Sequence, residues 1–164
     1  YHSRRILMQN IIREQEKYGY VMLDLAPGIH DNVISFLRLS DIIIVVINAD
    51  SSSLTDGYHV IKLLITTEQV PANKIYIIGN KITNKDEAYA YYTRINDVLY
   101  RNTKQLIAYL GNINDSKLVQ QAYAQKDLVV RRYPTTEVGR QFMVISNLLA
   151  TNKLIQRSSN NGTR

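Results

Sequence analysis

Apolar and polar positions repeat along this chain in two periods, and the switches between them mark its elements. Residues 4–18 place Ile6, Leu7, Ile11 and Ile12 on one side of a helical repeat, with Arg and Glu on the other. Gly19 ends that repeat. Tyr20-Val-Met-Leu-Asp-Leu25 reads as a short apolar strand closed by Ala26-Pro27-Gly28. Asp31 offers an N-cap for a helix over 32–39, and 42–48 is a second strand, β-branched almost throughout. Ser51-Ser52-Ser53 supplies capping hydroxyls for a helix through Glu68, and Val70-Pro71 breaks the chain before a third strand at 74–80. A helix over 86–103, a fourth strand at 105–110, a helix from an Asp115 cap to Lys126 and a last helix from Pro134-Thr135-Thr136 to Ile155 complete the pattern.

Continuously apolar strands joined by helix-length connections predict a doubly wound, mostly parallel α/β sheet with helices on both faces. Residues 1–156 read as part of one such domain, and 157–164 as a disordered polar tail. Ligands of these sheets bind beyond the carboxyl ends of the strands. The predicted strands end there on Asp24 with Gly28, on Asn48, on Asn80 and on Gly111-Asn112.

Composition narrows the chemistry. The chain has 164 residues, 45% apolar and 21% charged, which suits a globular domain. It has no cysteine, so disulfides, thiolate zinc sites, iron–sulfur clusters and cysteine nucleophiles are excluded. Its longest apolar run, Ile42 to Ile47, is far short of the roughly 20 residues that cross a bilayer. The net charge of +6 is uneven: residues 19–50 carry −3 and residues 111–164 carry +5. A basic C-terminal third permits contact with nucleic acid or anionic lipid, and equally suits a solvated surface.

Asp24 and Asn80 are the sharpest candidates. A strand closing on Asp with Gly four residues later matches the second half of a P-loop nucleotidase site. There the carboxylate orients Mg²⁺ and the glycine N–H meets a γ-phosphate. The same residues also suit plain turn chemistry. Asn80 carries a donor and an acceptor that can pair with N7 and N6 of adenine, and it can equally just terminate a strand. Tyr89, Tyr91, Tyr92 and Tyr100 fit one half-buried helix face. Neither His30 nor His59 has a carboxylate at a telling spacing.

The stretch from Tyr20 to Val46, with Leu-Asp-Leu-Ala-Pro-Gly-Ile-His-Asp-Asn-Val at its centre, resembles the MinD/ParA class of deviant P-loop ATPases. Ser53-Leu-Thr-Asp-Gly-Tyr58, Ile77-Ile-Gly-Asn-Lys81, Tyr109-Leu-Gly-Asn-Ile-Asn-Asp115 and the segment from Leu128 to Phe142 continue the resemblance in order. Gly28-Ile-His-Asp-Asn-Val33 and Ser53 to Tyr58 are most similar to the flagellar-number regulators of the FlhG/FleN type. There are three departures. Pro27 stands where the class has a residue with a backbone donor, and Ile113 replaces a proline. No Gly-Lys-Ser/Thr phosphate loop occurs, the seven glycines being scattered.

The resemblance implies an ATP-operated switch controlling flagellar number or placement, of which this chain is the C-terminal two-thirds, inactive alone. Asp24 would serve Mg²⁺, Gly28 would sense the γ-phosphate, and Asn80, Lys81, Asn112 and Ile113 would hold ATP or ADP at the base. Asp31 to Phe36 would move with nucleotide state. The implied partners are a second copy in the ATP-bound form and proteins of the flagellar or division machinery. A partition ATPase binding non-specific DNA, and an interaction domain without a phosphate loop, are the alternatives. The expected location is cytoplasmic, with peripheral contact at the inner face of the cell membrane through a segment outside this chain. Within it, Val138, Phe142, Ile145 and Leu149 are expected to pack on the sheet.

Overall fold

The computed structural model describes residues 2–15, 17–83 and 85–151. They form two compact units, residues 1–40 and 41–164. The first contains α1 (His2–Gln15) and α2 (Asp31–Leu39), joined by a segment without helix or ladder. The second runs β1 (Ile43–Asn48), α3 (Ser51–Thr66), β2 (Ile75–Ile82), α4 (Lys85–Thr103), β3 (Ala108–Asn114), α5 (Lys117–Ala124), α6 (Val129–Arg132) and α7 (Glu137–Ala150).

The sheet has three strands in the order β1-β2-β3, both pairs parallel. This is the predicted α/β class, with one correction: the strand expected at 20–26 does not form. Val21 and Met22 are exposed, and Leu23 and Leu25 only half-buried. The segment joins no ladder among the described residues, so its apolar side chains have no pleated surface to pack on. The third expected strand is extended by two residues, to Ile82. The fourth is displaced from 105–110 to Ala108–Asn114, because Ile107 is held by α4 before the ladder begins.

Alternation along β2 divides the core. Ile75 and Ile77 face α3 and α4 with Ile43, Ile47, Ile61, Leu64, Ile95 and Leu99, all buried. Tyr76 faces the other way, into a cluster with Leu110, Ile113, Val138 and Ile145, against which Phe142 and Leu149 also pack. Helices thus cover both faces, and α7 packs as expected. Gly57 lets α3 lie close on β1: a Cβ there would stand 2.7 Å from Ile47 Cδ1.

Caps differ in detail from the sequence reading. Asp50, not a serine, caps α3 by accepting from Ser53 N. Ser116, not Asp115, caps α5, and α2 begins at Asp31 itself behind His30. The helix expected to reach Ile155 is described to Ala150; its last residues and the tail at 157–164 lie outside the described residues. Among the described residues, no helix is long and apolar enough to cross a membrane.

Candidate functional site

The strand β1 ends on Asn48 beside Asn80, which lies two residues before the end of β2. Asn48 and Asn80 are register partners, the first at the end of β1 and the second near the end of β2, and Asn80 Nδ2 donates to Asn48 Oδ1 at 2.9 Å. The backbone after Asn48 turns sharply into α3. Ser53 Oγ accepts from Asn48 N at 2.9 Å, Asp50 N donates to Asn48 O at 2.8 Å, and Ser53 N donates back to Asp50 Oδ1 at 2.7 Å. This set of bonds explains why Asn48, Asp50 and Ser53 follow an apolar strand: each satisfies a strand-end or helix-start group that would otherwise lack a partner. Asn48 was visible in the sequence only as a polar strand end. Its pairing with Asn80 depends on register between residues 32 positions apart.

Beyond Asn80 the chain turns through Lys81, exposed and at φ +54°, where the β2–β3 register shifts. Glu87 accepts from Thr83 N at 3.1 Å and from the Tyr91 hydroxyl at 3.0 Å. That bond to Glu87, then desolvation and the negative charges of Glu87 and Asp50, raise the Tyr91 pKa above its ordinary 10.0. The Tyr91 hydroxyl therefore stays protonated, with its one hydrogen engaged by Glu87.

The carboxyl end of β3 is held from α7. Asn114 N donates to Gln141 Oε1 at 2.9 Å, and Asn114 Nδ2 donates to Glu137 Oε1 at 3.0 Å. Asn112 Nδ2 in turn donates to Asn114 Oδ1 at 2.6 Å, and the Tyr109 hydroxyl donates to Asn112 Oδ1 at 3.3 Å. Asn112 and Ile113, expected in a loop, are strand residues. Ile113 pairs with Asn80 in register and its side chain is buried in the α7 cluster, so only its main chain is open to a ligand role. Asn114, Glu137 and Gln141 were not singled out by sequence; no local pattern links β3 to a helix start 23 residues on.

Asp24 and Gly28 belong to the first unit. Asp24 is exposed in the segment that forms no strand, so the argument from a strand end does not apply to it. Gly28 has φ +111°, a conformation that favours glycine, and a Cβ there would meet the His30 ring at 3.1 Å. The residues fit ATP and Mg²⁺ in part. The Asn48–Asn80 amides suit a base edge, one exposed carboxylate suits a largely hydrated Mg²⁺, and Gly28 offers backbone free of a Cβ. Among the described residues no group of three His, Cys, Asp or Glu side chains could enclose a metal ion.

No family model matches the sequence. Two curated relatives do. The flagellum site-determining protein YlxH of Helicobacter pylori is 26% identical over 133 residues, which are 80% of this chain and 44% of that protein. The antiactivator FleN of Pseudomonas aeruginosa is 24% identical over 140 residues, 85% of this chain and 49% of that protein. The chain therefore spans just under half the length of the curated relatives it matches.

Proposed function

The chain is related to the FlhG/FleN-like members of the MinD/ParA family, and on that premise we propose that it is the base-binding part of an ATP-operated switch controlling flagellar number or placement. The observation that carries this reading is the amide pair of Asn48 and Asn80 toward the carboxyl ends of two neighbouring parallel strands. Such a position is where open α/β sheets bind ligands, and such a group is what an adenine edge requires.

In this reading Asn80 binds the base, and the main chain of Asn112 and Ile113 closes the neighbouring side under the hold of Gln141 and Glu137. Lys81 supplies a cation beside it. Asp24 orients metal-bound water and Gly28 presents its N–H to the terminal phosphate. Bound Mg-ATP would supply the hydrolysable phosphoanhydride. The segment from Asp31 to Phe36 responds to its presence, and a second copy and a flagellar partner protein read the result.

Titration calorimetry of the full-length gene product with Mg-ATP tests this. Micromolar binding, weakened about tenfold or more by Asn80→Ala, is the expected result, on the scale of one or two oriented hydrogen bonds. No binding of any nucleotide would end it. The exposed cations Lys117, Lys126 and Arg140 favour a second reading, a partition ATPase on non-specific DNA. Steeply salt-dependent DNA binding by the ATP form would select that reading.

A further inference from the structure

We infer that Glu87 is a positioning residue whose carboxylate holds the turn after Asn80 in the form that presents Lys81 to a bound nucleotide. This rests on the nucleotide-binding role proposed above and adds to it a residue that acts without touching the ligand. Asn80 pairs with Ile113 and Ile82 with Asn114, so β2 advances two residues where β3 advances one, and Lys81 is the extra residue. A bulge of this kind takes one residue out of the ladder and re-aims its side chain, a device over-represented next to active sites. Lys81 is exposed and stands at φ +54°, a conformation unfavourable for a residue with a Cβ. Such backbone persists only where its flanks hold it.

The two flanks are held by different elements. On one side Asn80 lies in the ladder between Asn48 and Ile113. On the other, Asp115 N donates to Ile82 O at 3.0 Å, and the following residue is held from α4. Thr83 N donates to Glu87 Oε2 at 3.1 Å, while Glu87 Oε1 accepts from the Tyr91 hydroxyl at 3.0 Å. One carboxylate oxygen thus holds the turn and the other is steadied by a half-buried tyrosine one helical turn further on. A glutamate in the first turn of a helix that reaches back to a main-chain N–H is also ordinary helix capping. Capping alone would steady α4 and show no coupling to Lys81. A hold on the bulge makes the effect of Glu87 on the ligand pass through Lys81.

The test is the Mg-ATP affinity of the full-length gene product, measured by calorimetry on wild type, Lys81→Ala, Glu87→Ala, the double variant and Glu87→Gln. Glu87→Gln keeps an acceptor for Thr83 N, and its amide can donate to the Tyr91 oxygen, so it serves as the conservative rescue. We expect Lys81→Ala and Glu87→Ala each to weaken binding about fivefold, the double variant to be no weaker than about fivefold, and Glu87→Gln to stay within about twofold of wild type. Losses that multiply to about 25-fold in the double variant overturn the inference, because independent sites behave so. Unchanged affinity in either single variant overturns it too, as does a Glu87→Gln as weak as Glu87→Ala. Circular dichroism melts establish that the variants fold. A misfolded Glu87→Ala passes the decision to Tyr91→Phe, which must weaken binding with Lys81 present and leave it unchanged in the Lys81→Ala background. If Asn80→Ala weakens binding while the Glu87 variants do not, only this inference falls. If wild type binds no nucleotide, the proposed function falls and this inference with it.

Discussion

Residues 20–25 and 43–48 are near equals in sequence and opposites in structure. Both are short apolar runs with a polar residue at or near the carboxyl end, Tyr-Val-Met-Leu-Asp-Leu and Ile-Ile-Val-Val-Ile-Asn. The second is β1, with Ile43 and Ile47 buried; the first forms no ladder and leaves Met22 83% exposed. The difference extends to the units around them. None of the described side chains of residues 1–40 is buried, whereas the described buried apolar residues run from Ile43 to Ile145. Apolar pattern states what a segment can bury. A neighbouring strand and a covering helix decide whether it does.

The strongest way to break this comparison is to truncate one side chain in each unit. Leu64, fully buried between α3 and the sheet, should cost about 2–5 kcal/mol as Leu64→Ala, through lost transfer energy and a residual cavity. Met22→Ala should stay within about 0.5 kcal/mol. Urea unfolding followed by circular dichroism measures both. Comparable losses would mean that the first unit is packed in solution.

A smaller effect is expected from hydrogen bonds. Asn96 is only 7% exposed and serves both main-chain groups of Ile107, donating to its carbonyl at 3.1 Å and accepting from its N–H at 3.0 Å. Asn96→Ala leaves that buried N–H without an acceptor and should cost about 1–3 kcal/mol. The exposed bond from Ser35 Oγ to Asp31 O in α2 should be worth almost nothing by the same assay, since water replaces it. Helix caps repeat the contrast at lower amplitude. Asp50→Ala removes the side-chain acceptor of α3 and should cost about 1 kcal/mol. His30 makes no side-chain cap bond to α2, so His30→Ala should be silent in the same unfolding curves.

The comparison also explains what was legible beforehand. Strands at 42–48 and 74–80 and the helix over 86–103 were readable because β-branched runs and helical spacing agree there with what the tertiary structure covers. The strand at 20–26 was over-read from the same signal, because composition does not record whether a partner strand is present. The displacement of β3 was hidden, since Asn96 and Tyr92 claim Ile107 from the preceding helix. The site divided in the same way. Asn80 was readable from its place near the end of an apolar strand, although the strand runs on to Ile82. Asn48 as its partner, and Gln141 and Glu137 as the support of Asn114, depend on register and packing between distant segments. Asp24 and Gly28 rest on resemblance, not on a strand.

The finest test asks whether the second unit is itself uniform, and Asp127, at the corner between α5 and α6, answers it. Its carboxylate accepts from Leu128 N at 2.7 Å and from Arg131 Nε at 2.7 Å, with Arg132 3.9 Å away. These hold its pKa below the ordinary 3.8, the Leu128 bond contributing most and desolvation opposing. A depressed carboxylate pKa means that the contribution is complete above 3.8 and is lost as pH falls through the lower folded value. Acid should therefore loosen this corner only below pH 3.8, and Asp127→Asn should abolish that step. Salt sharpens the attribution. It screens the exposed guanidinium of Arg131 but not the backbone bond, so added salt should move the midpoint only partway toward 3.8. NMR shifts of the Leu128 and Arg131 amides between pH 5 and 2 measure the midpoint, and a full return to 3.8 in salt would make charge, not the main chain, the anchor of this corner.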